Sequence, residues 1–280
     1  MSEVDSFARL VDALRPWLGH LVIVGGWSHR LHRLHDLAGI PPYPPLMTLD
    51  ADVAFSGRSP LTGDIREALR AANFQEAFRG DHTPPVVHYQ LGDEEGQGFY
   101  AEFLTPLHGG GVRRNGTPDA TLRKAGITAQ KLRHVDLLLA EPWSVRLSPN
   151  EPIPLDPPVD LSIANPVSFI AQKLLIRSKR PADKQAQDAL YIHDTLELFG
   201  NELHTLRDLW RSSLAHTLPS KIGRTIPELA AKQFGAVDDV IRSAARIPAD
   251  RSLRPERLQQ LCAYGLDAIF GPPLPPPGKS

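Results

Sequence analysis

The 280-residue chain holds one cysteine, Cys262, so no internal disulfide can form. Its setting in the apolar-rich segment Leu261 to Phe270 marks a packed thiol rather than a nucleophile. Long apolar runs are missing as well. Leu21 to Val24 and Leu137 to Ala140 are the most prominent, far below the roughly 20 residues that span a bilayer. The opening stretch MSEVDSFARLVDALRPWLGH lacks the apolar core and small-residue cleavage site of a signal peptide. These absences lead us to expect a cytoplasmic protein with no membrane partner. Net charge is nearly absent, with 31 basic against 32 acidic residues, so a nucleic acid would have to be held by a local basic surface. No Ser-His-Asp signature stands out. Neither a P-loop nor a GxGxxG fingerprint is present: the Gly25-Gly26 pair lacks the lysine of the one and the spacing of the other. His29, His32 and His35 spread around their segment without the partner set that zinc requires.

Hydrophobic residues make up 41% of the chain, enough for a substantial core, and we expect two packed lobes. Phe7, Leu10, Val11, Leu14 and Leu18 fall at helical spacing and predict an amphipathic helix over 5–18. Leu21 to Val24 reads as a strand buried on both faces, turning at Gly25 and Gly26 into a helix from about Ser28 to Leu37. After a proline-rich loop, Leu49, Ala51, Val53 and Phe55 alternate with Asp50, Asp52 and Ala54, the pattern of a strand with one polar face. A helix is expected from Asp64 to Arg79, then a hairpin of strands Val86 to Leu91 and Phe99 to Leu104. Thr105 to Lys124 reads as a long loop, with a strand or short helix near Val135 to Leu139 and a strand near Val159 to Ile163. From Asn165 the period becomes helical, and Pro181 should split that stretch into a helix ending near Ser178 and another from about Ala182. The expected class is α+β: a small mixed-sheet lobe over 1–164, a helical lobe over 165–270, and a proline-rich, extended or disordered tail over 271–280.

Residues two apart on a strand point the same way, about 6.7 Å apart along the chain, so Asp50 and Asp52 can aim both carboxylates at one point. Hard ions such as Mg²⁺ or Mn²⁺ suit that pair, although a solvated strand end is the readier explanation when the pair is taken alone. The turn Gly25-Gly26-Trp27-Ser28 would present helix N–H groups to an anion such as a triphosphate, and Ser28 can bond a phosphate oxygen or cap the helix. Glu102 sits in an otherwise apolar strand, either as a third carboxylate or proton acceptor, with Asp136 as its competitor, or as an acid on the solvated sheet face. Lys173, Arg177, Arg180, Lys184 and Asp188 would share one helix face if Pro181 did not interrupt it. They can hold phosphates, or form a solvated basic face with a Lys184–Asp188 ion pair.

Taken in order, VGGWS, LDADVAF, YAEFLTPL and AQKLLIRSKRPADKQAQDALYI resemble the polymerase-beta-like nucleotidyltransferase superfamily, and within it the AbiEii-type bacterial enzymes. The resemblance implies a nucleotidyltransferase catalytic domain followed by a helical domain. It also implies transfer of a nucleoside monophosphate from an NTP to an acceptor hydroxyl, with Mg²⁺ or Mn²⁺ as cofactor. It matches Gly26 and Ser28, with Gly25 beside them, to the phosphate-binding turn. Asp50 and Asp52 match the metal pair and Glu102 the third acid. Lys173, Lys184 and Asp188 look like the functional positions of the helical lobe, where Arg177 is a further nucleotide-binding candidate. Trp27 is bulkier than is usual in the turn, and Glu102 replaces the more frequent Asp. Many relatives are toxins paired with an antitoxin protein, and some modify tRNA ends. The acceptor is accordingly RNA, a protein or a small molecule, and the basic stretch of Arg113, Arg114, Arg123 and Lys124 leans towards RNA. The alternative is a non-catalytic nucleotide- or RNA-binding module on the same fold.

Overall fold

The computed structural model describes residues 2–57, 61–79, 86–91, 98–112 and 116–272. It is an α+β protein of two units, one comprising Met1–His35 with Pro45–Asn165, the other Asp36–Pro44 with Pro166–Ser280. The first unit runs α1 (Glu3–Ala13), β1 (Leu21–Val24), α2 (Gly25–Leu31), β2 (Asp50–Phe55), α3 (Ile65–Ala71), β3 (Phe74–Arg79), β4 (Val86–Leu91), β5 (Tyr100–Pro106), β6 (Thr121–Lys124), β7 (Ile127–Leu132), α4 (Val135–Leu138), β8 (Trp143–Leu147) and β9 (Val159–Ile163). Its strands form one mixed sheet in the order β3-β4-β5-β2-β1-β9-β8, with β7 joining β5 and carrying β6. β5 lies parallel to β2, while on its other side β4 pairs with its first half and β7 with its second.

Alternation along the strands gives the sheet two unlike faces. Ile23, Ala51, Val53, Phe55, Tyr89, Ala101 and Phe103 point to the main core, which they share with Phe7, Leu10 and Leu14 of α1 and Trp27 of α2. On the opposite face Val22, Val24, Ala54 and Leu104 are covered by Val135 and Leu138 of α4. Continuing along this second face, the same strands carry Asp50, Asp52 and Glu102, all half-buried. One surface therefore changes from apolar to acidic within two residues of β2.

Three expectations are corrected. Residues 64–79 are not one helix: α3 stops at Ala71, Asn73 adopts a left-handed φ of 65°, and Phe74–Arg79 pairs antiparallel with β4. The αL residue ends the helix, and ladder pairing along a whole strand overrides the helical period before it. Residues 105–124 are not all loop, because β6 and β7 form a hairpin whose two turn residues, Ala125 and Gly126, both have positive φ, as a primed turn demands. The helix after β1 begins at Gly25 rather than Ser28 and ends at Leu31, with a 3₁₀ turn at His32–Leu34. The expected pairing of β4 with β5 is present, and its connection 92–97 lies outside the described residues.

The second unit contains α5 (Pro166–Ile176), α6 (Ala182–Leu198), α7 (Leu203–Leu209), a π-helical turn Trp210–Leu214, α8 (Ala215–Thr217), α9 (Ser220–Phe234), α10 (Asp239–Arg246) and α11 (Pro255–Phe270). The break at Pro181 falls where the sequence places it, after a 3₁₀ turn at Arg177–Lys179. α11 comes close to α6 at Gly265, where a Cβ would lie 2.8 Å from Leu196. No described helix is long and apolar enough to cross a membrane.

Candidate active site

The acidic end of the sheet is built by register. Asp52 of β2 faces Val24 of β1 on one side and Glu102 of β5 on the other, and Glu102 in turn faces His88 of β4. The row two residues away carries Asp50, Tyr100 and Gln90. Neighbouring strands lie about 4.8 Å apart, so Asp52 and Glu102 are direct cross-strand neighbours with Asp50 on the same face.

Each acid is held by its surroundings. The Thr48 hydroxyl donates to the Asp50 carboxylate. His88 Nε2 lies 2.9 Å from Glu102 Oε1, and the His88 ring stacks on Tyr100 with centroids 5.0 Å apart and planes within 4°. Asp52 lies against the backbone of Gly25: a Cβ built there would sit 2.1 Å from Asp52 Oδ2. Gly25 also has a φ of 63°, so both its conformation and its neighbour require glycine.

The remaining turn residues are used differently. Trp27 is fully buried and stacks on Phe7, with centroids 3.8 Å apart and planes within 4°, so its bulk occupies the core and not the acidic face. Ser28 is not the helix cap, a position taken by Val24 without a side-chain bond. It is buried inside α2, where its hydroxyl donates to the Ala164 carbonyl at 3.0 Å. That carbonyl also lies 2.8 Å from His32 Nε2, so α2 is tied to the end of β9 at two points. Burial lowers the His32 pKa to about 4. Asp136 lies exposed on α4 and off the acidic row.

In the helical unit the candidates separate. Lys173 and Asp188 are both buried and 2.8 Å apart, Arg180 meets the same carboxylate at 2.9 Å, and the Lys173 ammonium lies over the rings of Phe169 and Tyr191. Arg177 is also buried; it donates to Gln233 at 3.4 Å and lies over Phe234, and desolvation lowers its pKa. Lys184 is exposed and donates to Gln187 at 3.3 Å, so Asp188 is paired with Lys173 and Arg180 rather than with Lys184. Two partners that β-sheet and helix periodicity cannot reveal, His88 and Arg180, thus complete the acids at Glu102 and Asp188.

Of the basic stretch, Arg113 and Arg114 lie outside the described residues. Arg123 and Lys124 stand on β6, with Lys124 donating to the Gly57 carbonyl and lying over the Phe55 ring. Among the described residues, the His and carboxylate group whose ligand atoms all lie within 4.8 Å of one another is His193, Asp194 and Glu197 on α6. Arg251 already occupies Asp194, donating to both its oxygens at 2.6 and 2.7 Å. Tyr43 donates to Glu197 at 2.5 Å. Of the strand acids, Asp50 accepts from the Thr48 hydroxyl and Glu102 is met by His88. Their all-oxygen donor set fits a hard divalent ion better than the arginine-filled group does.

No curated protein and no solved structure matches the chain. The sequence profile of a nucleotidyltransferase family matches residues 2–215, which takes in the whole acidic row, the turn after β1 and the α5–α6 segment. With three carboxylates gathered on one sheet face beside a glycine-lined turn, and a match over most of its length, the chain belongs to the nucleotidyltransferase family and is an enzyme of that class.

Proposed function

We propose that the enzyme transfers a nucleoside monophosphate from an NTP to an acceptor hydroxyl, with a divalent ion held by Asp50, Asp52 and Glu102. The observation that carries this reading is the register pairing of Asp52 with Glu102, with Asp50 on the same face. Like charges set directly opposite across a ladder destabilise a sheet, so such a row is kept where a cation serves the chemistry. When bound, Mg²⁺ or Mn²⁺ would neutralise charge on the phosphates and on the departing pyrophosphate.

The protein groups have separable tasks. Asp50 and Asp52 bind and orient the ion. Glu102 has a second oxygen besides the one facing His88, available for the ion or for the proton of the acceptor hydroxyl. Gly25 and Gly26 let phosphate oxygens approach the backbone closely, and Ser28 supports them by fixing α2 to Ala164. Lys184, exposed, fits a phosphate contact, whereas buried Lys173, Arg177 and Asp188 fit bracing of the helices. Exposed Arg123 supports an RNA acceptor ahead of a protein or small molecule.

The test is incubation with α-labelled NTPs, Mg²⁺ and a cell extract, followed by sorting of label among RNA, protein and small molecules. Asp50→Asn and Asp52→Asn should each lose transfer by at least about 10²-fold while the circular dichroism spectrum stays unchanged. Full activity in both variants would overturn the reading.

A further inference from the structure

Glu102 has an imidazole ring for a partner. His88 Nε2 approaches Glu102 Oε1 at 2.9 Å, and the two residues are direct register partners on antiparallel strands. The imidazole itself is confined: it is 8% exposed and lies parallel to the Tyr100 ring on the adjoining strand. Its other nitrogen, Nδ1, is buried with no hydrogen-bond partner among the described residues. A buried N–H without an acceptor is costly, so this arrangement fits the tautomer that carries its proton on Nε2 and donates it to the carboxylate.

We infer that His88 is a positioning residue for the transfer reaction, holding one oxygen of Glu102 so that the other is presented to the divalent ion. The inference rests on the proposed carboxylate site. Its physical basis is general. A glutamate carboxylate placed by three side-chain torsions must lose that freedom to act as a ligand, and a fixed N–H donor removes part of it in advance. Tyr100 prevents the ring from turning away, because rotation of His88 would break the stacked contact.

Three variants separate this role from simple packing. His88→Phe keeps a ring against Tyr100 but cannot donate. His88→Gln supplies an amide N–H that can reach the Nε2 position. Asp52→Asn serves as the reference for the carboxylate site. Mn²⁺ binding, followed by electron paramagnetic resonance of the free ion, is measured on each full-length protein, together with kcat and KM for label transfer. We expect His88→Phe to weaken Mn²⁺ binding by about 10-fold and lower kcat by about 10- to 100-fold, with KM for the NTP little changed. His88→Gln should return to within a few-fold of wild type in both.

Wild-type Mn²⁺ affinity and kcat in His88→Phe overturn the inference, as does a His88→Gln variant no better than His88→Phe. If Asp52→Asn also binds Mn²⁺ as wild type does, the carboxylate site is wrong and the role of His88 falls with it. If Asp52→Asn is impaired and His88→Phe is not, the site stands and only the positioning role fails.

Discussion

Gly25→Ala offers a sharp separation of stability from catalysis. The alanine methyl would be built 2.1 Å from Asp52 Oδ2, with Asp52 Cγ and Cβ at 3.0 and 3.2 Å. An ordinary contact begins near 3.4 Å, so the carboxylate oxygen must retreat by about 1.3 Å. The oxygen can rotate away, which turns Asp52 from its partners, while Asp52 Cβ at 3.2 Å must give by a few tenths of an ångström. The backbone adds a separate penalty, since a φ of 63° is left-handed and a non-glycine residue there costs about 1–2 kcal/mol. Misplacing a reacting group by about 1 Å lowers rates by roughly 10²-fold. We therefore expect Gly25→Ala to unfold 1–2 kcal/mol more easily and to transfer label about 100-fold more slowly. Gly109→Ala is the control: its φ is also left-handed, at 76°, yet nothing lies within 4 Å of its added methyl. It should lose similar stability with its rate intact. Urea midpoints and initial transfer rates measure both quantities. A wild-type rate in Gly25→Ala, or an equal loss of rate in Gly109→Ala, would refute the assignment of Asp52.

Ser28→Ala should cost about 1 kcal/mol, the ordinary worth of a neutral hydrogen bond, and leave transfer within a few-fold of wild type, since its hydroxyl serves Ala164; a 100-fold rise in KM for the NTP would instead make it a phosphate ligand. Stability should fall on acidification through His32: its pKa is about 4 when folded against 6.5 when unfolded, so the unfolded chain takes up the extra proton first. The loss begins near pH 6.5, reaches about 3 kcal/mol near pH 4, and should be missing from the difference between urea midpoints at pH 7.5 and 4.5 in His32→Gln. Arg251→Ala removes the arginine from Asp194, whose side chain is 2% exposed and keeps His193 Nδ1 at 2.9 Å, and should destabilise the protein by about 3 kcal/mol by urea unfolding; a loss below about 1 kcal/mol would show that the pair is not a true buried ion pair.

What the sequence made legible follows from the range of the forces involved. Strand β2 was readable because alternation at Leu49 to Phe55 is a local pattern, and the break at Pro181 because a proline in the helix interior has a local consequence. Strand β3 was not, since Ile65, Ala68, Leu69 and Ala72 extend a helical period up to a boundary set by Asn73 and by pairing with the distant β4. The pairing of His88 with Glu102 was hidden for the same reason: register is set between strands and cannot be read from either strand alone. The Lys173–Asp188–Arg180 cluster combines both cases. Its charges are visible in sequence, but the helical spacing favours Lys184 for Asp188, and only the turn at Arg177–Lys179 carries Arg180 to that carboxylate.

The departure at Trp27 shows why a motif must be read with its geometry. Successive helix residues project about 100° apart, so neighbours in the turn after β1 meet different surroundings. Gly25 lies against Asp52, while two positions later Trp27 is turned onto Phe7 in the core, and Ser28 reaches Ala164. A large residue at Trp27 therefore adds buried area without entering the space beside the acids, whereas a single methyl at Gly25 would enter it. In this short segment Gly25 leaves the space that the Asp52 carboxylate occupies, and its bulky neighbour Trp27 packs the helix onto Phe7.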